Sequence, residues 1–423
     1  MTRRTTLDTA WSEQPGDETP TTAEPMPWWA TRRNRGRLRS FLRAESKLQR
    51  VRACGTVSRR AEGVGIAINM SAPAGERIAG LRGLVSCGSV WLCPRCAAVI
   101  GLARAGELKR GIQEWQSRGY AVLFLTLTVG HGREDSLRKV WDGIAPAWSA
   151  LNRHRAWKTI KEEAGIRGFV RAVEATWSPK NGWHVHAHIL LFVENAQEAL
   201  NHTNDIKRLW ISIAEKEGYE ADPRWQDLRP VNPEDPERMA RYVTKASNGK
   251  QWSAADEVMR WSTKRARGES RAPFEMLMDA SYGDYEALQA WWEWEDGSHD
   301  RRQMTWSRNL RKELGLTTEA PDEELVTTST PISEDLQAQD ILDALDQGSP
   351  EIAGIPNGLW RQLTLLPEEM SEFLEAVEAG TAENVASRLR LLAAHYDWPL
   401  LVGPEWAAHR ERFTGLQSAS TKK

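Results

Sequence analysis

The chain has 423 residues, of which 40% are hydrophobic, and its formal net charge is −2. This length allows two or three domains with buried cores, because domains usually contain about 100–200 residues. No apolar run approaches the roughly 20 residues that cross a membrane as a helix, and no apolar core follows the arginines at the N-terminus. The composition argues against a membrane protein and against a signal peptide, so we expect a soluble, cytoplasmic protein.

The first 27 residues are rich in Thr, Pro, Glu and Asp, show little periodicity and are predicted to be disordered. Residues 28–60 then contain eleven Lys/Arg and a single acid. Such a stretch can attract a polyanion, although it can equally be a solvated arm without a ligand. The arginines predicted to bind phosphates are Arg32, Arg33, Arg35, Arg37 and Arg39.

All four cysteines of the chain fall in this basic region, which we place at residues 28–119. Three of them crowd into CGSVWLCPRC, where a proline tightens the turn of a CxxC pair. In a cytoplasmic chain this crowding indicates metal binding rather than a disulfide framework. We predict a tetrahedral thiolate site for structural zinc, the alternative being four reduced, partly buried thiols. The ligands would be Cys54, Cys87, Cys93 and Cys96.

Residues 120–250 show the clearest pattern of secondary structure. Residues 120–129 (YAVLFLTLTV) alternate in the manner of a strand, and a helical region follows over about 134–164. The strand GFVRAVEATW, the turn SPKNG, the strand GWHVHAHILLF, a helix over about 196–216 and a short strand near 225–231 come next. This order, β-α-β-β-α-β, predicts a ferredoxin-like unit with an antiparallel sheet, an α+β fold. Two helices would cover one face of the sheet, and the other face would be free to hold a site.

Three histidines alternate along the second strand of the predicted hairpin. Residues at i, i+2 and i+4 of a strand point to the same side, so His184, His186 and His188 share a face. If SPKNG is a five-residue hairpin loop, the register places Glu174 opposite His186, with the Cβ atoms about 5 Å apart. A slip of one residue would put this carboxylate into the core, where it is costly.

Two imidazoles and a carboxylate with vacant coordination positions suit a divalent cation that acts as a Lewis acid. We predict such a site, for Mn or Mg, at His186 and His188. Either Glu174 or His184 could be the third ligand. The alternative is a set of histidines that are merely hydrogen-bonded on the surface of a sheet, but three histidines with an opposed carboxylate favour the metal.

The segment NPEDPERMARYVTKAS predicts a helix capped by Asp235, with Pro236 at its first position. Tyr242 and Lys245 lie at i and i+3 on this helix and therefore share a face. A tyrosine beside a metal-bound substrate can act as a nucleophile, and a lysine one turn away can stabilise the phenolate or bind a phosphate. The alternative is a tyrosine that simply packs on a helix.

The remaining chain divides by composition. Residues 251–316 are rich in Trp and Arg and are predicted to extend the preceding domain as helices. Residues 317–423 contain seven Lys/Arg and 19 Asp/Glu and are predicted to form an acidic, mostly helical region. This last region cannot bind a polyanion by charge, so we expect it to bind a protein partner or to self-associate.

Three motifs occur in an order that resembles the HUH endonuclease superfamily, specifically its single-tyrosine plasmid rolling-circle replication initiators. FLTLT at Phe124–Thr128 resembles the first motif, and HVHAHILL at His184–Leu191 is similar to the second. YVTK at Tyr242–Lys245 matches the third, and the cysteines before the first motif also resemble this family. No single motif is decisive, since Tyr-x-x-Lys alone has almost no specificity and HxHxH has moderate specificity, but the three in this order are a strong signal.

The resemblance implies metal-dependent, site- and strand-specific nicking of DNA at a plasmid origin. Metal at His186 and His188 would polarise the scissile phosphate while Tyr242 attacks phosphorus. The products would be a 5′-phosphotyrosine and a free 3′-OH that primes synthesis. The implied partners are origin DNA and a host helicase and polymerase in a bacterial cytoplasm, while the oligomeric state stays open.

One position departs from the family pattern. Some single-tyrosine members carry a glutamate four residues before the tyrosine, where this chain has Arg238. We hypothesise that Glu237 takes the role of that glutamate in the terminating cleavage. Alternatives of the same class are a single-tyrosine transposase and a conjugative relaxase, although common relaxases carry the tyrosine before the histidines. The alternative from another class is a zinc-containing DNA-binding regulator without catalytic activity.

Overall fold

A computed structural model of the chain describes residues 32–68, 77, 79–231, 270–326, 350–381 and 384–420. These residues form helices and two antiparallel sheets, so the predicted α+β class is confirmed. No helix in this part of the chain is long and apolar enough to cross a membrane. The predicted helix that carries Glu237, Tyr242 and Lys245 lies outside the described residues.

The elements of the described residues are numbered in chain order. The helices are α1 Arg32–Glu45, α2 Gln49–Ala53, α3 Pro94–Ser117, α4 Leu137–Arg153, α5 Arg155–Glu163, α6 Ala196–Asn201, α7 Thr203–Lys216, α8 Pro273–Ser281, α9 Tyr285–Ser298, α10 Leu310–Glu313, α11 Asp322–Leu325, α12 Asn357–Leu363, α13 Pro367–Glu378, α14 Val385–His395 and α15 Pro404–Ser420. The strands are β1 Val64–Ile68, β2 Ala79–Arg82, β3 Ala121–Thr128, β4 Ile166–Ser178, β5 Gly182–Val193, β6 Asp227–Pro230, β7 Met304–Trp306, β8 Glu351–Ile355 and β9 Leu401–Val402.

The larger sheet has five strands in the order β6-β3-β5-β4-β7, and every neighbouring pair is antiparallel. The four strands predicted from the sequence, β3 to β6, are all present, and helices α4 to α7 lie between them in the chain. The edge strand β7 has three residues and falls in a region predicted to be helical. Three residues are too few to show the alternation that indicates a strand.

One face of this sheet packs against helices α4, α7 and α9. Leu123, Leu125 and Leu127 of β3 point to this face and are fully buried in the core that these helices share. Trp183 of β5 stacks on Trp294 of α9, with ring centroids 5.7 Å apart. Full burial of one large apolar side chain contributes about 1.5–3 kcal/mol relative to exposure, so this core fixes which face of each strand turns inward.

The hairpin of β4 and β5 has the predicted register. Glu174 pairs with His186, and Trp177 pairs with Trp183. The strands also pair at their last residues, so the loop has three residues rather than the predicted five. Gly182 closes this short loop with a φ of 71°, and a Cβ there would lie 2.6 Å from the carbonyl oxygen of Arg133. The turn therefore requires glycine at this position.

The second face of the sheet is not entirely free, and the prediction that it would be is wrong for one half. Phe124, Leu190 and Phe192 on this face share a core with Leu108 and Ile112 of α3. The other half carries the histidines of β5, of which His188 borders that core, its ring centroid 4.9 Å from that of Phe124. Helix α3 thus covers one half of this face, and the candidate site lies on the other half, at one end of the sheet.

The smaller sheet has four strands in the order β2-β1-β8-β9 and brings the two ends of the chain together. Strand β1, from the basic region, pairs with β8 from the acidic region. Ile66 of β1 shares a core with Ile355 of β8 and with Phe373 of α13. The acidic residues of the C-terminal region are consequently held beside the basic residues of the N-terminal region.

Candidate functional site

Three side chains of the β4–β5 hairpin meet on the half of the sheet that α3 leaves uncovered. His186 Nε2 and His188 Nε2 are 2.9 Å apart. Glu174 Oε2 lies 3.1 Å from His188 Nε2 and 3.6 Å from His186 Nε2. We call these three residues the metal trio, because their ligand atoms lie within 4.8 Å of one another.

The metal trio has the dimensions of one face of a coordination shell. A cation about 2.1 Å from each donor holds neighbouring octahedral donors about 3 Å apart, close to the three separations observed. The side chains of His188, Glu174 and His186 are 7%, 13% and 15% exposed, so water is mostly removed while access remains from one side. Two imidazoles and one carboxylate on the same side leave coordination positions for a substrate oxygen.

The third histidine of the strand has a different partner. His184 Nδ1 lies 3.0 Å from Nε2 of His131, and the two ring centroids are 5.1 Å apart. Burial lowers the pKa of His184 to about 3 and also lowers the pKa of His131. His184 is therefore neutral at physiological pH and lies beside the metal trio rather than in it. Of the two predicted third ligands, the geometry favours Glu174.

His131 is a residue that the sequence analysis missed. It lies in the loop after β3, which is fixed by a hydrogen bond from the backbone N–H of Gly130 to the carbonyl oxygen of Glu220, 2.7 Å long. A lone histidine in a loop has no period and no motif of its own. Its position three residues after the FLTLT motif is the only sequence signal that could have pointed to it.

A side chain of β3 orients the ring of His188. Its Nδ1 lies 3.3 Å from Oγ1 of Thr126, the residue that pairs with it across the sheet. In the tautomer that leaves the Nε2 lone pair for a cation, Nδ1–H donates to this hydroxyl. Nδ1 of His186, by contrast, is buried and has no hydrogen-bond partner among the described residues. Thr126 thus holds one of the two imidazoles of the metal trio in place.

The four cysteines also come together, and we call them the thiol cluster: Cys54, Cys87, Cys93 and Cys96. Cys54 Sγ lies 3.4 Å from Cys93 Sγ and 3.5 Å from Cys96 Sγ, and Cys87 Sγ lies 3.7 Å from Cys96 Sγ. A disulfide would need about 2.05 Å, whereas thiolates about 2.3 Å from a tetrahedral zinc lie about 3.8 Å apart. All four are buried, and hydrogen bonds from Cys87 and the other thiols lower the pKa of Cys54. The donor set fits a closed zinc site.

The predicted DNA-binding arginines lie on α1, which is a packed helix. Leu38 on the same helix is fully buried in the main core, and Arg35 is only 8% exposed. Arg33 and Arg37 form ion pairs with α13, and Arg39 lies against the backbone of residue 55. The helix therefore has structural contacts as well as charge, and its contact with DNA stays a prediction.

Comparison with known proteins places this site in a family. A model of the replication protein family matches residues 82–344, which is more than half of the chain. The chain belongs to the replication protein family. The predicted relationship to plasmid replication initiators is thereby confirmed. The match includes the metal trio and all three sequence motifs, whereas α1 and Cys54 precede it.

Relatives of this replication protein occur in several bacteria. "Protein rep" of Streptomyces lividans is 30% identical over 326 aligned residues, which cover 60% of this chain and 70% of that protein. "Protein rep" of Lentilactobacillus hilgardii is 27% identical over 125 residues, covering 28% of this chain and 38% of that protein. A "Neomycin resistance protein" of Streptomyces cyanogenus is 25% identical over 140 residues, covering 27% and 32%. No solved structure matches significantly.

The predicted nucleophile of this replication protein lies outside the described residues, together with Lys245 and Glu237. The last described residue before this segment is Val231, whose N–H donates to the carbonyl oxygen of Val122. From there, eleven residues lead to Tyr242 and can span up to about 36 Å when extended. The roles of the three residues stay predictions.

Proposed function

We propose that this replication protein initiates plasmid replication by cutting one strand of the origin in a metal-dependent reaction and keeping the 5′ end on a tyrosine. The observation that carries the proposal is the metal trio, in which two imidazole nitrogens and one carboxylate oxygen lie 2.9–3.6 Å apart on a partly exposed surface. This donor set suits a divalent ion that must still accept a substrate oxygen.

The order of the strands supports the proposal. Strands β6-β3-β5-β4 are neighbours in this order and are all antiparallel, as in a ferredoxin-like βαββαβ unit, the fold predicted for the nicking domain. The hairpin with the metal trio lies in the middle of this sheet, where neighbouring strands support it on both sides. A rigid support of this kind suits a reaction in which the phosphate must be held in line with its nucleophile.

Each residue has a separate role in the proposed reaction. Mn or Mg, when bound, would supply Lewis-acid polarisation of the scissile phosphate. His186, His188 and Glu174 would hold the ion, and Thr126 would keep the ring of His188 in position. The Tyr242 oxygen gives up its proton and bonds to phosphorus, while the bond from phosphorus to the 3′-oxygen breaks. The 3′-oxygen takes up a proton, and the products are a 5′-phosphotyrosine and a 3′-OH.

Two further residues complete this proposal. Lys245, one helical turn from Tyr242, would stabilise the phenolate or bind a phosphate oxygen. Glu237 would accept the proton of the water that attacks in the terminating cleavage. Replacing Glu237 by Ala should then slow termination and leave the initial cut unchanged. Origin DNA is the proposed substrate, and a host helicase and polymerase would act on the nick.

The thiol cluster has a structural role in the proposal. Its cysteines come from the end of α2, the loop between β2 and α3, and the start of α3, with Cys93 as the N-cap of α3 and Cys96 in its first turn. Zinc bound there would fasten these elements to one another. Because α3 covers half of the face that carries the metal trio, the zinc would also help to shape the site.

A nicking assay tests the proposed function. Supercoiled plasmid that carries the protein's own origin is incubated with purified protein and Mn or Mg. We expect nicked circles with protein attached to the 5′ end, and Tyr242→Phe should abolish both while metal binding persists. His395→Ala, which changes an exposed histidine of α14, should cut like the wild type.

Two results would contradict the proposal. If Tyr242→Phe still cuts and still carries the 5′ end, another residue is the nucleophile. If the wild type binds origin DNA without metal and never cuts it, the chain is a DNA-binding regulator without catalytic activity.

A further inference from the structure

Helices α1 and α13 meet along a charged seam, formed by Arg33 and Arg37 of α1 and by Glu368 and Glu372 of α13. Arg33 donates to Glu368 Oε2 from Nε over 3.2 Å and from Nη2 over 2.7 Å. Arg37 lies 3.5 Å from the other oxygen of Glu368, and Arg33 lies 3.6 Å from Glu372. The hydrogen bond from Arg33 holds the pKa of Glu368 below its usual range, so this carboxylate is ionised at neutral pH.

The seam is polar because each helix buries its apolar side in a different core. Leu38 and Leu42 of α1 belong to the core of the larger sheet, whereas Phe373 of α13 belongs to the core of the smaller sheet. The helices lie close together, since a Cβ added to Gly36 of α1 would lie 3.2 Å from Cβ of Pro367 of α13. The arginines can therefore change partners without exposing either core.

The ion pairs of the seam are open to solvent. The side chains of Arg33, Glu368 and Glu372 are 52%, 40% and 51% exposed, and that of Arg37 is 34% exposed. Pairs this exposed contribute little to folding, because water and salt screen them. A guanidinium that binds one carboxylate with two N–H groups uses the same planar fork with which arginine binds phosphate. A DNA phosphate can therefore replace these carboxylates.

We propose that the charged seam is a binding surface for the DNA backbone, and that Glu368 and Glu372 compete with DNA for its two arginines. The inference rests on the proposed function only in that the protein acts on DNA. Without DNA the acids hold Arg33 and Arg37, and on DNA the arginines bind phosphates instead. Helix α13 thereby weakens the phosphate contacts, which are the same for DNA of any sequence. Contacts specific to the origin then contribute a larger fraction of the free energy of DNA binding.

A pair of neighbouring variants tests this competition. Glu368→Gln removes the acid that both arginines contact, whereas Glu369→Gln removes the same charge one residue along α13, from a side chain without an ion pair among the described residues. Fluorescence anisotropy measures binding of the full-length protein to a duplex without the origin sequence, with no divalent metal added. We expect Glu368→Gln to bind about 3–10-fold more tightly at low salt and with a salt slope steeper by about 1–2, and Glu369→Gln to stay within about 1.5-fold of the wild type.

Variants without the two arginines provide a second test of the competition. Arg33→Gln with Arg37→Gln should cancel the gain of Glu368→Gln when all three are combined. Equal gains in Glu368→Gln and Glu369→Gln would show an effect of net charge alone and would overturn the inference. So would a Glu368→Gln variant that melts at a lower temperature and binds DNA like the wild type, since the pairs would then be structural contacts only.

The inference and the proposed function can fail separately, because this measurement needs neither the metal trio nor cleavage. If Glu368→Gln binds DNA more tightly but the protein never cuts its origin, the proposed role of the charged seam is supported and the proposed nicking reaction is contradicted. If the protein nicks its origin normally but Glu368→Gln and Glu369→Gln bind DNA equally well, the nicking reaction is supported and the role of the charged seam is contradicted.

Discussion

The thiol cluster and the metal trio gather candidate metal ligands in two physically different ways. The thiol cluster offers four donors, enough to fill a tetrahedral shell, and none of its residues is more than 3% exposed. The metal trio offers three donors, with side chains 7–15% exposed. A filled shell has no position for a substrate, whereas three donors on one side leave positions open. The first arrangement suits stability and the second suits chemistry.

The origin of the donors within the fold strengthens this contrast. Cys54 ends α2, and Cys93 and Cys96 begin α3, so a metal in the thiol cluster joins elements that are far apart in the chain. The residues of the metal trio lie on two strands that a three-residue turn already holds together. We therefore expect metal loss to unfold structure at the thiol cluster and to remove only activity at the metal trio.

The largest expected effect is that of Cys96→Ser. Structural zinc contributes about 10 kcal/mol or more to the folding of small zinc-binding peptides, so loss of one ligand should release the metal and destabilise α2 and the start of α3. Zinc content by atomic absorption and thermal unfolding by circular dichroism measure both consequences. Ala97→Ser, which changes the neighbouring buried residue of α3 but no ligand, should keep its zinc. Retention of a full zinc equivalent by Cys96→Ser would remove Cys96 from the ligand set.

His186→Ala should have the opposite profile. Nicking should fall at least about 1,000-fold, which corresponds to about 4 kcal/mol of transition-state stabilisation. The free energy of unfolding should change by less than about 1 kcal/mol, because the side chain is partly exposed and its Nδ1 has no partner among the described residues. Single-turnover nicking and chemical denaturation give the two values. A variant that loses its fold together with its activity would break the contrast between the two clusters.

Glu174→Gln and His184→Ala together identify the third donor of the metal trio. Glu174 Oε2 lies within 3.6 Å of both imidazole nitrogens, whereas His184 points its Nδ1 at His131. Calorimetric titration with Mn should therefore show at least about a 100-fold loss of affinity for Glu174→Gln and less than about a fivefold loss for His184→Ala. Equal losses would make His184 a ligand and enlarge the open site to four donors.

Some of this architecture could be predicted from the sequence because local rules determine it. The register of the β4–β5 hairpin follows from period-two alternation and from the cost of burying Glu174, and the structure has this register. The spacing of Cys93 and Cys96 indicated a metal knuckle, and their sulfurs lie close to those of the other two cysteines. Each of these predictions uses residues near one another in the chain.

Contacts between distant segments could not be predicted in the same way. The packing of α3 on half of the site face, the pairing of β1 with β8 and the contact of His131 with His184 all join residues that are far apart in sequence. No periodic pattern records such contacts, because any apolar stripe can pack against several partners. The uneven distribution of charge was apparent from the sequence. That basic side chains of α1 pair with acidic side chains of α13 is known only from the structure, in which the smaller sheet joins the two ends of the chain.

The smallest expected effect is that of Thr126→Val, which tests how the open site keeps its shape without a filled shell. The substitution removes the hydroxyl 3.3 Å from His188 Nδ1 and keeps a β-branched side chain that suits the strand. Loss of such an orienting partner typically costs about 10–100-fold in metal affinity, and we expect about 10-fold here because the sheet also restrains the ring. Thr126→Ser, which keeps the hydroxyl, should bind Mn within about threefold of the wild type. Equal affinity of the valine and serine variants would mean that strand packing alone orients His188.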